Sequence, residues 1–573
     1  MPLVHFFIFA FLSFVYGFLL TLLVTSQFDE RVALSLPLSF ATFSFAFLPS
    51  LFFDFPLFPW LTCITLAILL IVILISYNNK KINSLLLLKR YSQMNKLGIL
   101  IYLFIFIHLL IQQILIPFYG LGAIPGDWFG HYRLTREFLT HEINAFPLRL
   151  PLYQFLQGFY LSIIGRKSFG EDFYSFQLIQ VLVSFSFFPI VNLFAKELFQ
   201  NKRHWSIVLL TSLLPYILIQ ALIPWPKMLA SIYVLLAFYF YIKSRRFPDE
   251  PRNFWLTGLF GGLAILSHWL GLVYFMSIVI DFIWQARRRG LAKKFIWQKI
   301  LQWAGLILVL LLPVYLWGLV KFGWRATILA NLSILQKSGY DLFDYLLARI
   351  INFFSTFFFP LSLFIGFVRE LPRLGIHWLG LVDLSSRWIS QYLGFLPGNF
   401  TISLMTFWGF HLWKNKFVKK QINRLMQKME ALWPGAIIFT LASILIMILV
   451  QPGPITSGVA LTGLIPSVVL GFLIFAHNLS KQSSWMFYVF FESLAMLFFW
   501  QILLHILSQK FQIAEQFKDP ALLQIKEVLS YKQDFNLIFL HDIFKPMIHF
   551  VLGCAVLVQV SFLILIKNFC KPI

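Results

Sequence analysis

Only 23 of the 573 residues are acidic and only three are cysteine, so the chain is short of two residue types from which many active sites are made. The cysteines, Cys63, Cys554 and Cys570, lie in or beside apolar segments and form no CxxC pair, which indicates neither a disulfide framework nor a thiolate metal site. Charge of either sign is scarce at 12%, whereas 59% of the residues are hydrophobic and 19% aromatic. A soluble core cannot hide that much apolar side chain, and the chain is expected in a bilayer. Backbone groups in lipid pair internally, so the fold class expected is all-α: a polytopic membrane bundle with outer-face loops and interfacial helices.

The apolar runs 97–118, 205–223, 300–320, 437–450 and 547–566 come near the ~20 residues needed to cross hydrocarbon. A net charge of +23 would suggest nucleic acid in a soluble protein, but here the cations gather between apolar runs. Clusters stand at Lys80–Lys96, Lys196–Arg203, Lys243–Arg252, Arg287–Lys299 and Lys414–Lys428. The positive-inside rule puts all five on the cytoplasmic side, where anionic membrane lipids are sufficient partners and no nucleic acid is required. The first run, 6–24, has no basic start and no small-residue cleavage site, so it reads as a retained span.

Following charge along the chain divides it into leading spans at 1–77, a core at 97–320 and a C-terminal membrane region at 321–573. The span 97–118 leaves the basic side, so 119–150 is an outer loop. Segment 151–164, with Gln154, Gln157 and Ser162 among aromatics, is expected to be an amphipathic helix in the interface. Pro224-Trp225-Pro226-Lys227 makes an outer turn, and Ser267-His268-Trp269 divides 254–281 into two short helices. Segments 353–367 and 376–395 either span or lie in the interface. The total is roughly 13–15 spans.

The outer loop carries Gly126-Asp127-Trp128-Phe129-Gly130-His131-Tyr132-Arg133. A carboxylate at the mouth of a membrane cavity can take a proton from an attacking hydroxyl; equally, Asp127 can cap a helix, and the local pattern supports either. His131, four residues on, shares a helical face with Asp127, and Trp128 and Tyr132 are of the type that stacks on sugars or anchors a chain at the interface. Arg149, Lys227 and His268 all fall at outer ends of spans. Cations there suit a lipid-borne phosphate, although a single Lys at such a place can simply snorkel. Arg325, Lys337 and Arg349 belong to the same outer set.

In this order the features resemble the GT-C superfamily of polytopic glycosyltransferases, in particular bacterial relatives of protein O-mannosyltransferases and aminoarabinose transferases. Gly126-Asp127-Trp128 takes the place of the family's acidic motif in the first outer loop, and Arg149-Leu150-Pro151-Leu152-Tyr153 is similar to its Pro-Leu-Tyr segment. Pro224-Trp225-Pro226-Lys227 and Gly261-Gly262-Leu263-Ala264-Ile265-Leu266-Ser267-His268 follow in the positions of later motifs. Asp127 has no acidic neighbour, and Lys227 stands where relatives carry an acid.

The resemblance implies inverting transfer of a sugar from a polyprenyl-phosphate donor to a glycan, lipid or protein acceptor at the outer face of a bacterial inner (plasma) membrane. It casts Asp127 as base and His131, Arg149, Lys227, His268, Trp128 and Tyr132 as substrate-binding residues. No metal ligand is assigned; a divalent cation is compatible, but no ligand cluster demands one. Two other classes stay open: a transporter or flippase of lipid-linked glycans, which would favour internal repeats and midplane charges, and a non-catalytic relative.

Overall fold

The computed structural model describes residues 2–53, 57–78, 96–115, 127–143, 146–147, 150–165, 169–198, 203–329, 350, 442 and 464–479, some of them, Asp127, Trp128 and Phe129 included, by backbone alone. Arg149, Lys337, Arg349 and the ambiguous segments 353–367 and 376–395 lie outside the described residues. Those described are helical, with no strand among them.

In chain order the helices are α1 (Pro2–Val24), α2 (Phe28–Phe53), α3 (Leu57–Asn78), α4 (Lys96–Leu115), α5 (Asp127–Thr140), α6 (Leu152–Ile164) and α7 (Phe169–Leu198). There follow α8 (Arg203–Leu213), α9 (Pro215–Leu222), α10 (Pro226–Arg246), α11 (Pro251–Ser267), α12 (Leu270–Arg288), α13 (Lys293–Trp324) and α14 (Ile465–Leu479). Six of them, α1, α2, α7, α10, α12 and α13, are long and apolar enough to cross a membrane. The chain is a helical membrane protein.

Proline sets several boundaries. Pro226 and Pro251 open α10 and α11, where a missing N–H costs nothing. Pro215 falls inside an apolar run, and the expected span 205–223 is there divided into α8 and α9.

Lipid tails give apolar helices little reason to associate, so contacts depend on close backbone approach and on polar groups between helices. At the α1–α2 crossing, Ser13 and Gly17 of one helix meet Ser35 and Ser39 of the other, and Ser39 Oγ donates to the Ser13 carbonyl at 2.5 Å. A Cβ at Gly17 would lie 1.7 Å from the Ser35 carbonyl oxygen. Helices α7 and α10 form the centre, each with 94% of its apolar window buried, whereas α13, at 22%, is peripheral. The leading helices join this core: α2 packs on α6 and α7, and Tyr233 of α10 donates to the Pro37 carbonyl at 2.9 Å.

One expectation is corrected. Helix α6 has no exposed polar face, because residues Leu152 to Leu161 are all buried among α2, α5 and α7. It runs antiparallel to α7, with the Tyr153 hydroxyl donating to Gln180 at 2.8 Å. Thirteen residues are too few to cross the hydrocarbon, yet here protein surrounds them and their glutamines point into the bundle.

Candidate functional site

Helices α10 and α11 form an antiparallel hairpin joined by Phe247–Glu250, so the start of α10 lies beside the end of α11. Lys227, the second residue of α10, therefore shares one end of the bundle with His268, which ends α11. Both are buried. The Lys227 ammonium sits 4.2 Å from the centroid of the Trp225 ring, whose face favours a cation that has left water.

His268 occupies an extended residue between α11 and α12, as the sequence indicated. The Leu270 N–H donates to its Nδ1 at 3.2 Å. With Nδ1 accepting, the neutral ring carries its proton on Nε2 and presents a donor there.

The backbone of α5 begins at Asp127, so this carboxylate stands in the first turn, where the helix dipole favours a negative charge. Neither its side chain nor that of Trp128 is among those described. His131 is buried, and the Gln154 side-chain amide donates to its Nδ1 at 2.7 Å, tying α5 to α6. Tyr132 is buried too and meets the rings of Phe173 and Phe176 edge-on at 5.1 and 5.4 Å, the packing of a core aromatic. On the next turn Arg136 pairs with the buried Asp172 of α7. Arg325 opens a five-residue π-helical segment after α13, and Gly318 near that end packs on Phe146.

These contacts bring α5, the start of α7, the α9–α10 turn, the α11–α12 turn and the end of α13 to one end of the bundle. Asp172 and Gln180 are its residues that the sequence did not single out, and Gln154 and Trp225 were noted only as parts of a helix and a turn. Asp172 was visible only as an acid in the first turn of a span, a place where many acids serve the dipole. A buried network runs beneath: Gln180 accepts from Tyr153, and Ser184 Oγ donates to the Ala221 carbonyl at 2.6 Å, joining α6, α7 and α9. Burial pushes the Tyr153 hydroxyl well above its ordinary range, so it remains a neutral donor.

Among the described residues no group of three or more His, Cys, Asp or Glu is arranged to hold a metal ion. The sequence matches no family model, no curated protein and no solved structure.

Proposed function

We propose that this chain is a membrane glycosyltransferase that moves a sugar from a polyprenyl-phosphate donor to an acceptor hydroxyl at the outer face. The observation that carries the reading is the shared position of Lys227 and His268, a buried ammonium and an imidazole with Nε2–H, at the end of the bundle where α5 is packed. A fixed cation and a neutral donor, both away from water, suit the phosphate that leaves when the sugar's anomeric bond breaks. Asp127 takes the proton of the acceptor hydroxyl as its oxygen bonds to the anomeric carbon; the electron pair of the old bond departs with the polyprenyl phosphate. Attack from the face opposite the leaving group inverts the anomeric centre.

Asp127→Asn tests this, because it keeps size and much of the capping capacity but removes the base. Membranes from cells carrying the wild-type gene are compared by mass spectrometry of glycans and lipid-linked sugars with membranes carrying the variant or no gene. The expected result is a glycan product present only with the wild type and reduced about 10²–10⁴-fold by Asp127→Asn at equal protein level. Identical profiles in all three would refute the proposal.

A further inference from the structure

At the end of the bundle opposite Lys227, five of the described cations are already matched by acids. Lys196 pairs with Asp29 at 2.5 Å, Arg246 with Glu197 at 2.9 Å, Arg252 with Glu250 at 3.2 Å and Arg245 with Asp281 at 3.4 Å, and Lys243 pairs with the buried Glu30. The α12–α13 turn is different. Arg287, Arg288, Arg289, Lys293 and Lys294 are all exposed, and none has an acidic partner among the described residues.

The turn is a fixed structure. The Gly290 N–H donates to the Arg287 carbonyl at 3.0 Å and the Leu291 N–H to the Ala286 carbonyl at 3.0 Å, with Gly290 at φ 70°, a left-handed cap that ends α12. Lys293 opens α13 three residues later, and the positive end of that helix adds to the field. Both flanking helices are long and apolar enough to span, so the turn meets the membrane surface. Trp284 and Trp297, six residues before Gly290 and seven after it, are 62% and 61% exposed. Paired tryptophans at this remove mark the headgroup belt, and the cations just beyond them stand at the level of lipid phosphates.

We propose that the α12–α13 turn is a binding site for anionic phospholipid headgroups of the leaflet it faces, its five cations engaging lipid phosphates. Four of the matched cations, Lys196, Lys243, Arg245 and Arg246, join one helix to another instead. This inference is independent of the glycosyl-transfer reading, since it concerns the opposite end of the bundle.

The full-length protein is purified in detergent with equimolar phosphatidylglycerol and phosphatidylcholine, and retained lipids are counted by native mass spectrometry. Each Lys or Arg near an anionic surface contributes a factor of about five, so a variant carrying Arg287→Gln, Arg288→Gln, Arg289→Gln, Lys293→Gln and Lys294→Gln should lose phosphatidylglycerol enrichment at least about tenfold. A control variant with Lys196→Gln, Arg246→Gln and Arg252→Gln removes matched cations and should stay within about twofold of wild type. Should the fivefold variant fold poorly, Arg287→Gln with Lys294→Gln should still lower enrichment severalfold. Unchanged enrichment in the folded turn variants would overturn the proposal, as would an equal loss in the control. So would tight binding of a short oligonucleotide at physiological salt that the turn substitutions abolish, which would assign the surface to nucleic acid.

Discussion

Replacing Lys243 by Met is expected to weaken the fold more than any other single change at the basic end. The Glu30 side chain is 1% exposed and that of Lys243 9%. Glu30 accepts from the Thr25 hydroxyl at 2.5 Å and the Tyr239 hydroxyl at 2.9 Å as well as from the ammonium. Removing one partner of a buried ion pair leaves the other uncompensated and costs about 3–5 kcal/mol. Two hydroxyl donors remain on the carboxylate, which puts the expectation at the low end, about 3 kcal/mol. Glu30→Gln in the Lys243→Met background removes the stranded charge; the amide oxygen still accepts from one of the two hydroxyls, which bond different carboxylate oxygens, and its NH2 can donate to the other, so the total loss should come down to about 1 kcal/mol. Unfolding of the full-length chain by SDS titration in mixed micelles, on wild type, both single variants and the double, closes the cycle. A loss below about 1 kcal/mol for Lys243→Met, with coupling within about 0.5 kcal/mol of zero, would show that water or lipid headgroups solvate the pair and would refute the argument.

Gly17→Ala should lower stability by about 1–3 kcal/mol in the same titration, because the new Cβ meets the Ser35 carbonyl; Gly130→Ala, with nothing among the described residues within 4 Å, should be neutral or stabilising by up to about 1 kcal/mol. In a cysteine-free background, Trp269→Cys at the α11–α12 turn and Arg288→Cys at the α12–α13 turn should react with an impermeant thiol reagent from opposite sides of sealed vesicles, since a spanning helix separates them. Labelling of both from one side would mean that α12 does not cross.

Local punctuation was legible in the sequence and long-range pairing was not. The break at Ser267-His268-Trp269 follows from backbone chemistry within a few residues, and the structure has it where the sequence puts it, whereas α10 and α11 begin earlier than expected, at Pro226 rather than Met228 and at Pro251 rather than Phe254. Helix α6 misled because glutamine among aromatics reads as a wet face, whereas inside a membrane bundle polar groups turn towards protein and away from lipid. Arg136 and Asp172 are 36 residues apart, and Glu30 and Lys243 are 213 apart; nothing local in either segment announces its partner. Lys227 and His268 were placed on one end by counting spans between basic clusters, and the α10–α11 hairpin is the physical reason that the count succeeds there.

The last turns of α10 show what the scarce acids do. Lys243, Arg245 and Arg246 are set about 200° and 300° apart from the first around a helix of 3.6 residues per turn, so they point three ways. Their partners are on three different helices: Glu30 on α2, Asp281 on α12 and Glu197 on α7. Two tyrosines repeat the pattern one turn back, Tyr239 donating to Glu30 at 2.9 Å and Tyr241 to Asp281 at 2.5 Å, so two of the three acids are each gripped by residues four apart on the same helix face. Rotating α10 by a single residue would swing every one of these groups by about 100° and mispair all three acids at once. Apolar packing in lipid discriminates weakly between neighbouring rotations of a helix, because one leucine face resembles the next. The acids supply that discrimination, and in fixing the rotation of α10 they also fix which way Lys227, sixteen residues back along the same rigid helix, is directed.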